Sequence, residues 1–148
     1  MKSVGIVTTI YLIISIALVG CSTPNITAEA PSPGNRTIVC EVFYRSTSGQ
    51  SLQPAPLISF NEGSDKETLT FDTMVFDAHF QDDEYEGRAL SIAVTDLDTG
   101  SDITRQLYQF DQQNPVENQF VGGHGFTGLN YIFQPDSSAE MQFFCSVQ

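Results

Sequence analysis

Acidic residues recur around a glycine near the middle of the chain. Asp96, Asp98 and Asp102 are spaced through the segment DLDTGSD, residues 96–102, with Gly100 at the bend. Carboxylate oxygens are the ligands that calcium prefers, and a glycine bend lets several of them turn toward one ion. The segment therefore predicts a calcium site with these three aspartates as ligands. The alternative is a solvated hairpin turn, in which Asp and Gly supply only the turn geometry.

The spacing of these acids resembles the opening of an EF-hand calcium loop. Leu107 stands where that loop has its bidentate glutamate, and the flanking residues have the pattern of strands, which excludes an EF-hand. A calcium site between β loops stays open. It would be favoured if the acidic run of Asp82, Asp83, Glu84 and Glu86 lies beside the aspartate segment.

Residues Asp98-Thr99-Gly100-Ser101 also resemble the active-site tetrad of aspartic proteases, in which two such aspartates share one proton. A domain of this size would supply Asp98 from each of two copies. The family needs a second element of two apolar residues and a glycine, for which residues 120–123 are the nearest match. The chain also closes with a cysteine-bearing strand instead of the family's helix. A hydrolase with Asp98 as its catalytic residue is therefore the alternative to a non-enzymatic function.

Two histidines offer further places for chemistry. His124 lies in the glycine-rich segment 122–125, where it could act as a ligand or transfer a proton. His79 shares a predicted strand face with Asp77, and a histidine beside a carboxylate can bind a metal or titrate near neutrality. The simpler interpretation is a glycine turn and a polar strand surface. No Gly-x-Ser-x-Gly element is present, so no serine nucleophile is assigned.

Aromatic residues fall on both faces of several predicted strands. Exposed rings would form a flat platform for a glycan or a protein edge, whereas buried rings would only pack the core. The alternation alone does not separate the two. The residues concerned are Phe43, Tyr44, Tyr85, Tyr108, Tyr131 and Phe144.

The segments that carry these residues alternate with a period of two. In residues 89–95, Leu90, Ile92 and Val94 fall on one face, which is the pattern of a half-buried strand. Clusters of Gly, Pro, Asp and Asn separate such runs. We therefore predict an all-β antiparallel β-sandwich of seven to eight strands, in a jelly-roll or immunoglobulin-like order. The other predicted strands cover residues 38–45, 68–72, 74–81, 103–110, 126–133 and 140–147.

The first residues have the pattern of an export signal. Lys2 precedes an uncharged apolar run, 4–20, which is too short and too diluted by Thr and Ser for a spanning helix. Leu18-Val19-Gly20-Cys21 resembles the lipobox of bacterial lipoproteins. The resemblance implies cleavage before Cys21, a diacylglyceryl thioether on its sulfur and, in many bacteria, a third acyl chain. The alternative is an uncleaved anchor, and either arrangement would leave the rest of the chain outside the cytoplasm.

This interpretation divides the chain into a signal peptide (1–20), a lipidated cysteine with a Pro/Ser/Thr-rich tether (21–35) and one β-sandwich domain (36–148). If Cys21 carries lipid, Cys40 and Cys145 remain as one pair in a compartment that permits disulfides. We predict that they are bonded. The alternative is two separate buried thiols, and a catalytic cysteine is disfavoured because neither has a histidine nearby in sequence.

Acidic residues outnumber basic ones by 18 to 6. A surface of that sign repels phosphates, so nucleic acid is excluded as a partner and cations or basic proteins are favoured. The sequence thus favours a lipid-anchored cell-envelope protein on the extracytoplasmic face, at the outer membrane or the cell surface. We expect a non-enzymatic binding or structural module with an envelope protein or a glycan as ligand. Calcium is the one cofactor that the sequence suggests.

Overall fold

The structure, a computed structural model, describes residues 37–61, 65–83, 87–111 and 116–148, without the side chains of Asp82 and Asp83. In these ranges no helix has the length and apolar character needed to cross a bilayer. The signal peptide, the tether and Cys21 lie outside the described residues. The described secondary structure consists of β1 (Ile38–Arg45), β2 (Gln53–Pro54), β3 (Ile58–Phe60), β4 (Asp65–Thr70), β5 (Met74–Asp83), β6 (Gly87–Asp96), β7 (Asp102–Phe110), a 3-10 turn (Val121–Gly123), β8 (Asn130–Phe133) and β9 (Glu140–Val147).

These strands form two antiparallel sheets, which confirms the predicted all-β sandwich. One sheet has the order β2-β1-β9-β8, with β3 also pairing with β1, and the other has the order β4-β5-β6-β7. The described strands outnumber the predicted seven to eight because two short strands, β2 and β3, pair separately with β1. Strand β2 ends at Pro54, and Pro56 lies between the two. The strand order differs from the jelly-roll and immunoglobulin-like orders, since four consecutive strands pair in turn within one sheet.

The core lies between the inner faces of the two sheets. On β6 the predicted alternation is confirmed, because Leu90, Ile92 and Val94 are fully buried. The other sheet contributes inward residues of β1 and β9, and the rings of Phe76 and Phe143 meet edge to face with centroids 5.2 Å apart. Burial of these apolar side chains is the main force that holds the two sheets together.

Cys40 and Cys145 form a disulfide between β1 and β9, as predicted. The two residues lie directly opposite each other in the antiparallel pairing, with their Cα atoms 4.1 Å apart. Both are fully buried. The bond therefore joins the first and last strands at the centre of the core.

The segment before β8 covers the outer edge of β9. The amide of Phe126 donates to the carbonyl oxygen of Cys145, and the amide of Cys145 donates to the hydroxyl of Thr127. Gly125 makes this approach feasible, because it has φ +61° and a Cβ there would lie 2.0 Å from the carbonyl oxygen of Cys145. The predicted strand over 126–133 is therefore too long. Strand β8 begins only at Asn130, after a glycine with positive φ at 128.

Candidate binding surface

The outward surface of the five-stranded sheet carries aromatic side chains. Residues 38, 40, 42 and 44 of β1 and residues 141, 143 and 145 of β9 are buried in the core, so the residues between them point outward. We call the outward group of Phe43, Tyr131, Phe133, Gln142 and Phe144 the aromatic face. Tyr131 and Phe133 are 54% and 60% exposed, whereas Phe43 and Phe144 are half-buried.

Strand pairing aligns this face in rows across the sheet. Pro54, Phe43, Gln142 and Tyr131 are successive partners on β2, β1, β9 and β8. Neighbouring strands lie about 4.8 Å apart, so the Cα atoms of Phe43 and Tyr131 are about 10 Å apart with Gln142 between them. The next row carries Phe133 beside Glu140 and Arg45. In these two rows, aromatic side chains are interspersed with polar ones.

Gln142 is held in place by a hydrogen bond to Glu140, a buried carboxylate that is paired with the partly exposed Arg45. Its Nε2 donates to Oε1 of Glu140 at 2.6 Å, and the other carboxylate oxygen of Glu140 pairs with the guanidinium of Arg45. Glu140 is 4% exposed, and its two oxygens are thus satisfied by two fixed donors. Within the described part of the chain, no group donates to the amide oxygen of Gln142. In the strand pairing, Gln142 lies between Phe43 and Tyr131.

The predicted aromatic residues that the structure describes separate into three groups. Tyr44 is buried, and its hydroxyl forms a hydrogen bond of 3.0 Å with the hydroxyl of Thr73, in the turn between β4 and β5. Tyr108 is partly buried and packs edge to face on Phe126, and this burial raises its pKa. Phe43, Tyr131 and Phe144 belong to the aromatic face, whereas Tyr85 lies outside the described residues. Sequence reasoning missed Phe133, although its spacing of two from Tyr131 was the available signal.

Two of the three aspartates of segment 96–102 are bonded, each to different partners. One oxygen of Asp96 accepts bonds from the amide and the hydroxyl of Thr99, at 2.8 and 2.9 Å, and the other accepts from Gln134. Asp102 pairs with Arg105 at 2.9 Å. Asp98 is exposed, with no hydrogen bond to its carboxylate from a described residue.

The hydrogen bonds to Asp96 also change the pKa of its carboxyl group. The bond from Gln134, followed by those from Thr99, lowers the pKa of Asp96 below its ordinary value of 3.8. No group of three or more His, Cys, Asp or Glu side chains able to hold a metal occurs in the described ranges. The side chains of Asp82 and Asp83, and all of Glu84 and Glu86, fall outside those ranges. Calcium binding beside that run therefore stays a prediction.

Asp98 lacks the surroundings of an aspartic-protease tetrad. The hydroxyl and amide of the following residue, Thr99, turn toward Asp96 instead. The proposed second element, residues 120–123, lies at the other end of the sandwich, because its loop is bonded to the last residues of β9. The geometry gives no support to catalysis by Asp98.

The two histidines occupy separate places. The ring of His124 packs edge to face on Phe144, with centroids 5.3 Å apart, at the margin of the aromatic face. His79 lies on the outward face of β5, as does Asp77, whose carboxylate engages Lys66 at 3.3 Å and Thr68 of the neighbouring strand. The glycine-rich segment around His124 thus covers a strand edge, and Asp77 is occupied by partners other than His79.

An open groove of about 650 Å³ lies beside edge strand β7. Its apolar lining includes Leu107, Phe110, Val116 and Phe126. Asp111 and Glu117 also line the groove, so its wall is both acidic and apolar. We take the aromatic face, with its two largely exposed rings, as the candidate for ligand binding.

Comparison with known proteins gives no relative for this chain, because no family model, no curated protein and no solved structure matches it. The choice of the aromatic face as the candidate surface is therefore based only on its geometry and chemistry.

Proposed function

We propose that this chain is a lipid-anchored protein of the bacterial cell envelope whose β-sandwich binds a ligand through the aromatic face and catalyses no reaction. The observation that carries the proposal is the exposure of Tyr131 and Phe133 on the outward side of β8, beside Gln142 of the neighbouring strand. Neighbouring exposed apolar side chains rimmed by polar groups are a common feature of interaction sites.

The anchor is supported by the lipobox-like segment and by the disulfide. A disulfide forms and persists in oxidising compartments outside the cytoplasm, and the bond between Cys40 and Cys145 fits such a location. Two or three acyl chains on Cys21 would hold the domain stably at a membrane, since one chain alone binds only marginally. The domain would then stand clear of the bilayer on its tether.

Metabolic labelling tests the anchor. The full chain expressed in a bacterium should incorporate labelled palmitate, lose residues 1–20 and appear in the membrane fraction. The Cys21→Ser variant should incorporate none, while its Cys40–Cys145 bond still forms. A mature chain with residues 1–20 attached and Cys21 unmodified would contradict the lipoprotein assignment.

Sedimentation with isolated cell envelopes tests the binding face. The Cys21→Ser chain without residues 1–20 should sediment with envelope fragments, and the Tyr131→Ser/Phe133→Ser variant should stay in the supernatant. Leu97→Ser is the control, because Leu97 is 43% exposed in the turn between β6 and β7 and belongs neither to the aromatic face nor to the groove. Equal sedimentation of all three proteins would dismiss the aromatic face as the binding surface.

A further inference from the structure

We propose that the edge of strand β7 binds an extended, basic segment of a partner protein, which adds to the four-stranded sheet as a further strand. This site is separate from the aromatic face, which lies on the other sheet. Three observations carry the inference: the free edge of β7, the groove along that edge, and the carboxylates in the wall of the groove.

Strand β7 is a free edge of its sheet. It pairs with β6 on one side, and among the residues that the structure describes, no strand pairs with its other side. An edge strand leaves a row of backbone N–H and C=O groups that can pair with another extended chain. Strand β7 has nine residues, and its second half, 106–110, contains no charged side chain.

The other sheet edges are protected against such pairing. Strand β4, at the opposite edge of the same sheet, begins with Asp65, Lys66 and Glu67, and charged side chains on an edge oppose pairing with another chain. In the other sheet, β2, β3 and β8 have only two, three and four residues, and the loop before β8 bonds the edge of β9 beyond it. In the described structure, residues 106–110 of β7 have none of these protective features.

The groove of about 650 Å³ follows this edge, because its lining includes the consecutive residues 107–111. Side chains alternate between the two faces of a strand. Tyr108 and Phe110 pack toward the core, whereas Leu107 is 61% exposed on the outward side. A groove that contacts both sets of side chains lies along the edge of the strand and not over one face. Five residues of a strand span about 16 Å, so a segment of similar length could lie beside them.

The chemistry of the groove specifies the occupant. The backbone groups of an edge strand are paired by another polypeptide in extended conformation, and its alternate side chains then enter the neighbouring pockets. Asp111 and Glu117 line the groove, and no lysine or arginine is among its described lining residues. Basic side chains alternating with apolar ones therefore complement both the carboxylates and the apolar lining. Arg105, the cation of β7 itself, lies outside the lining and is bonded to Asp102.

A second copy of this chain is a less suitable occupant of the edge. The chain carries a formal net charge of −12, so two copies repel each other. A basic segment of a different protein is attracted instead, and this attraction would be weakened by salt.

Peptides of defined sequence test the inference. The protein is the Cys21→Ser chain without residues 1–20, and the probes are fluorescent peptides as long as β7 in which valine alternates with lysine or with glutamate. A third probe alternates lysine with proline, which keeps the charge but lacks half of the backbone donors and does not pair in a regular sheet. We expect fluorescence anisotropy to show binding of the lysine–valine peptide, binding at least about tenfold weaker for the lysine–proline peptide, and none for the glutamate peptide.

Substitutions locate the site. Leu107→Lys places a positive charge on the edge and should weaken binding of the lysine–valine peptide about tenfold. Glu117→Gln removes one carboxylate from the wall and should weaken it about two- to fivefold. Glu67→Gln is the matched control, because it removes the same charge from the opposite edge of the sheet, and it should leave binding unchanged. Circular dichroism melts confirm that each variant is folded.

Amide hydrogen exchange reports the strand pairing itself. Amides of residues 106–110 that point away from β6 should exchange more slowly when the lysine–valine peptide binds. Unchanged exchange there, no binding of that peptide, or equal binding of the lysine–proline or glutamate peptide would overturn the inference. A dimer that becomes monomeric in Leu107→Lys, measured by analytical ultracentrifugation, would show that a second copy pairs with β7 and would also overturn it. Tyr131→Ser/Phe133→Ser should bind the peptide normally, which separates this site from the aromatic face.

Discussion

The side chain of Asn118 bonds both backbone groups of Val147. Its Nδ2 donates to the carbonyl oxygen of Val147 and its Oδ1 accepts from the amide of the same residue, each at 2.9 Å. At the end of β9, the side chain of Asn118 thus makes the two hydrogen bonds that the backbone of a neighbouring strand would otherwise make. On the same edge, the carbonyl oxygen and the amide of Cys145 bond to Phe126 and Thr127. The loop before β8 therefore hydrogen-bonds the part of β9 that β8 does not reach.

Replacing Asn118 should therefore loosen the end of β9. Asn118→Ala removes both bonds, and we expect the free energy of unfolding to fall by about 1 to 2 kcal/mol, measured from urea transitions. Asn118→Asp keeps the acceptor and loses the donor, so its effect should be smaller. An unchanged urea midpoint for the alanine variant would show that water substitutes fully for the side chain.

Gly125 should tolerate no side chain. Gly125→Ala would place a Cβ 2.0 Å from the carbonyl oxygen of Cys145 in addition to the strain of φ +61°, and we expect a loss of about 3 kcal/mol or more. Gly123→Ala is the control, because Gly123 also has a positive φ, +81°, but has open space at the Cβ position. Similar thermal unfolding of the two variants would contradict the close approach at position 125.

The disulfide should contribute substantially to stability and resist reduction in the folded state. Cys40→Ala/Cys145→Ala removes a link between residues 105 apart in sequence, and we expect the unfolding free energy to fall by about 2 to 5 kcal/mol. Because both sulfurs are fully buried, thiol titration after mild reduction should detect no new thiols until denaturant is added. Rapid reduction of the native protein would contradict that burial.

Asp96 should contribute to the loss of stability in acid. Its folded-state pKa lies below the ordinary value of 3.8 because Gln134 and Thr99 donate to the charged carboxylate. The stabilisation is therefore fully present well above pH 3.8 and is lost as the pH falls through the lowered pKa. Asp96→Asn should lower stability at neutral pH and flatten its further decline in acid, measured by urea midpoints across this range. Asp98→Asn, at an exposed position in the same turn, should leave the decline unchanged.

The sequence predicts the buried strands well, because apolar and polar residues alternate along a strand as its side chains alternate between the core and the outside. On β6 each second residue from Leu90 to Val94 is apolar and buried, and the bounds of β1 and β9 agree with the predicted 38–45 and 140–147. The aspartate segment is correctly placed in a turn between strands, and its hydrogen bonds show why: Asp96 caps that turn through Thr99.

The aromatic face and the β9 edge were harder to predict for two physical reasons. On β8, Tyr131, Ile132 and Phe133 are apolar in succession, so alternation cannot tell which side faces the core. The structure buries Ile132 and exposes its neighbours. The bonds from Asn118 to Val147 join residues 29 apart, and such pairings depend on tertiary contacts that no local pattern encodes.

The hydrogen bond between the amide of Gln148 and the carbonyl oxygen of Thr37 has a practical consequence. It joins Gln148 to Thr37, the residue before β1. At the opposite end of the sandwich, the bond between Gln134 and Asp96 joins the residues that follow β8 and end β6. A fluorophore attached after Gln148 would therefore mark the end of the sandwich where Thr37 lies, and one attached at Thr99 would mark the opposite end. If the protein is anchored as we propose, the two labels would report the orientation of the domain relative to the membrane.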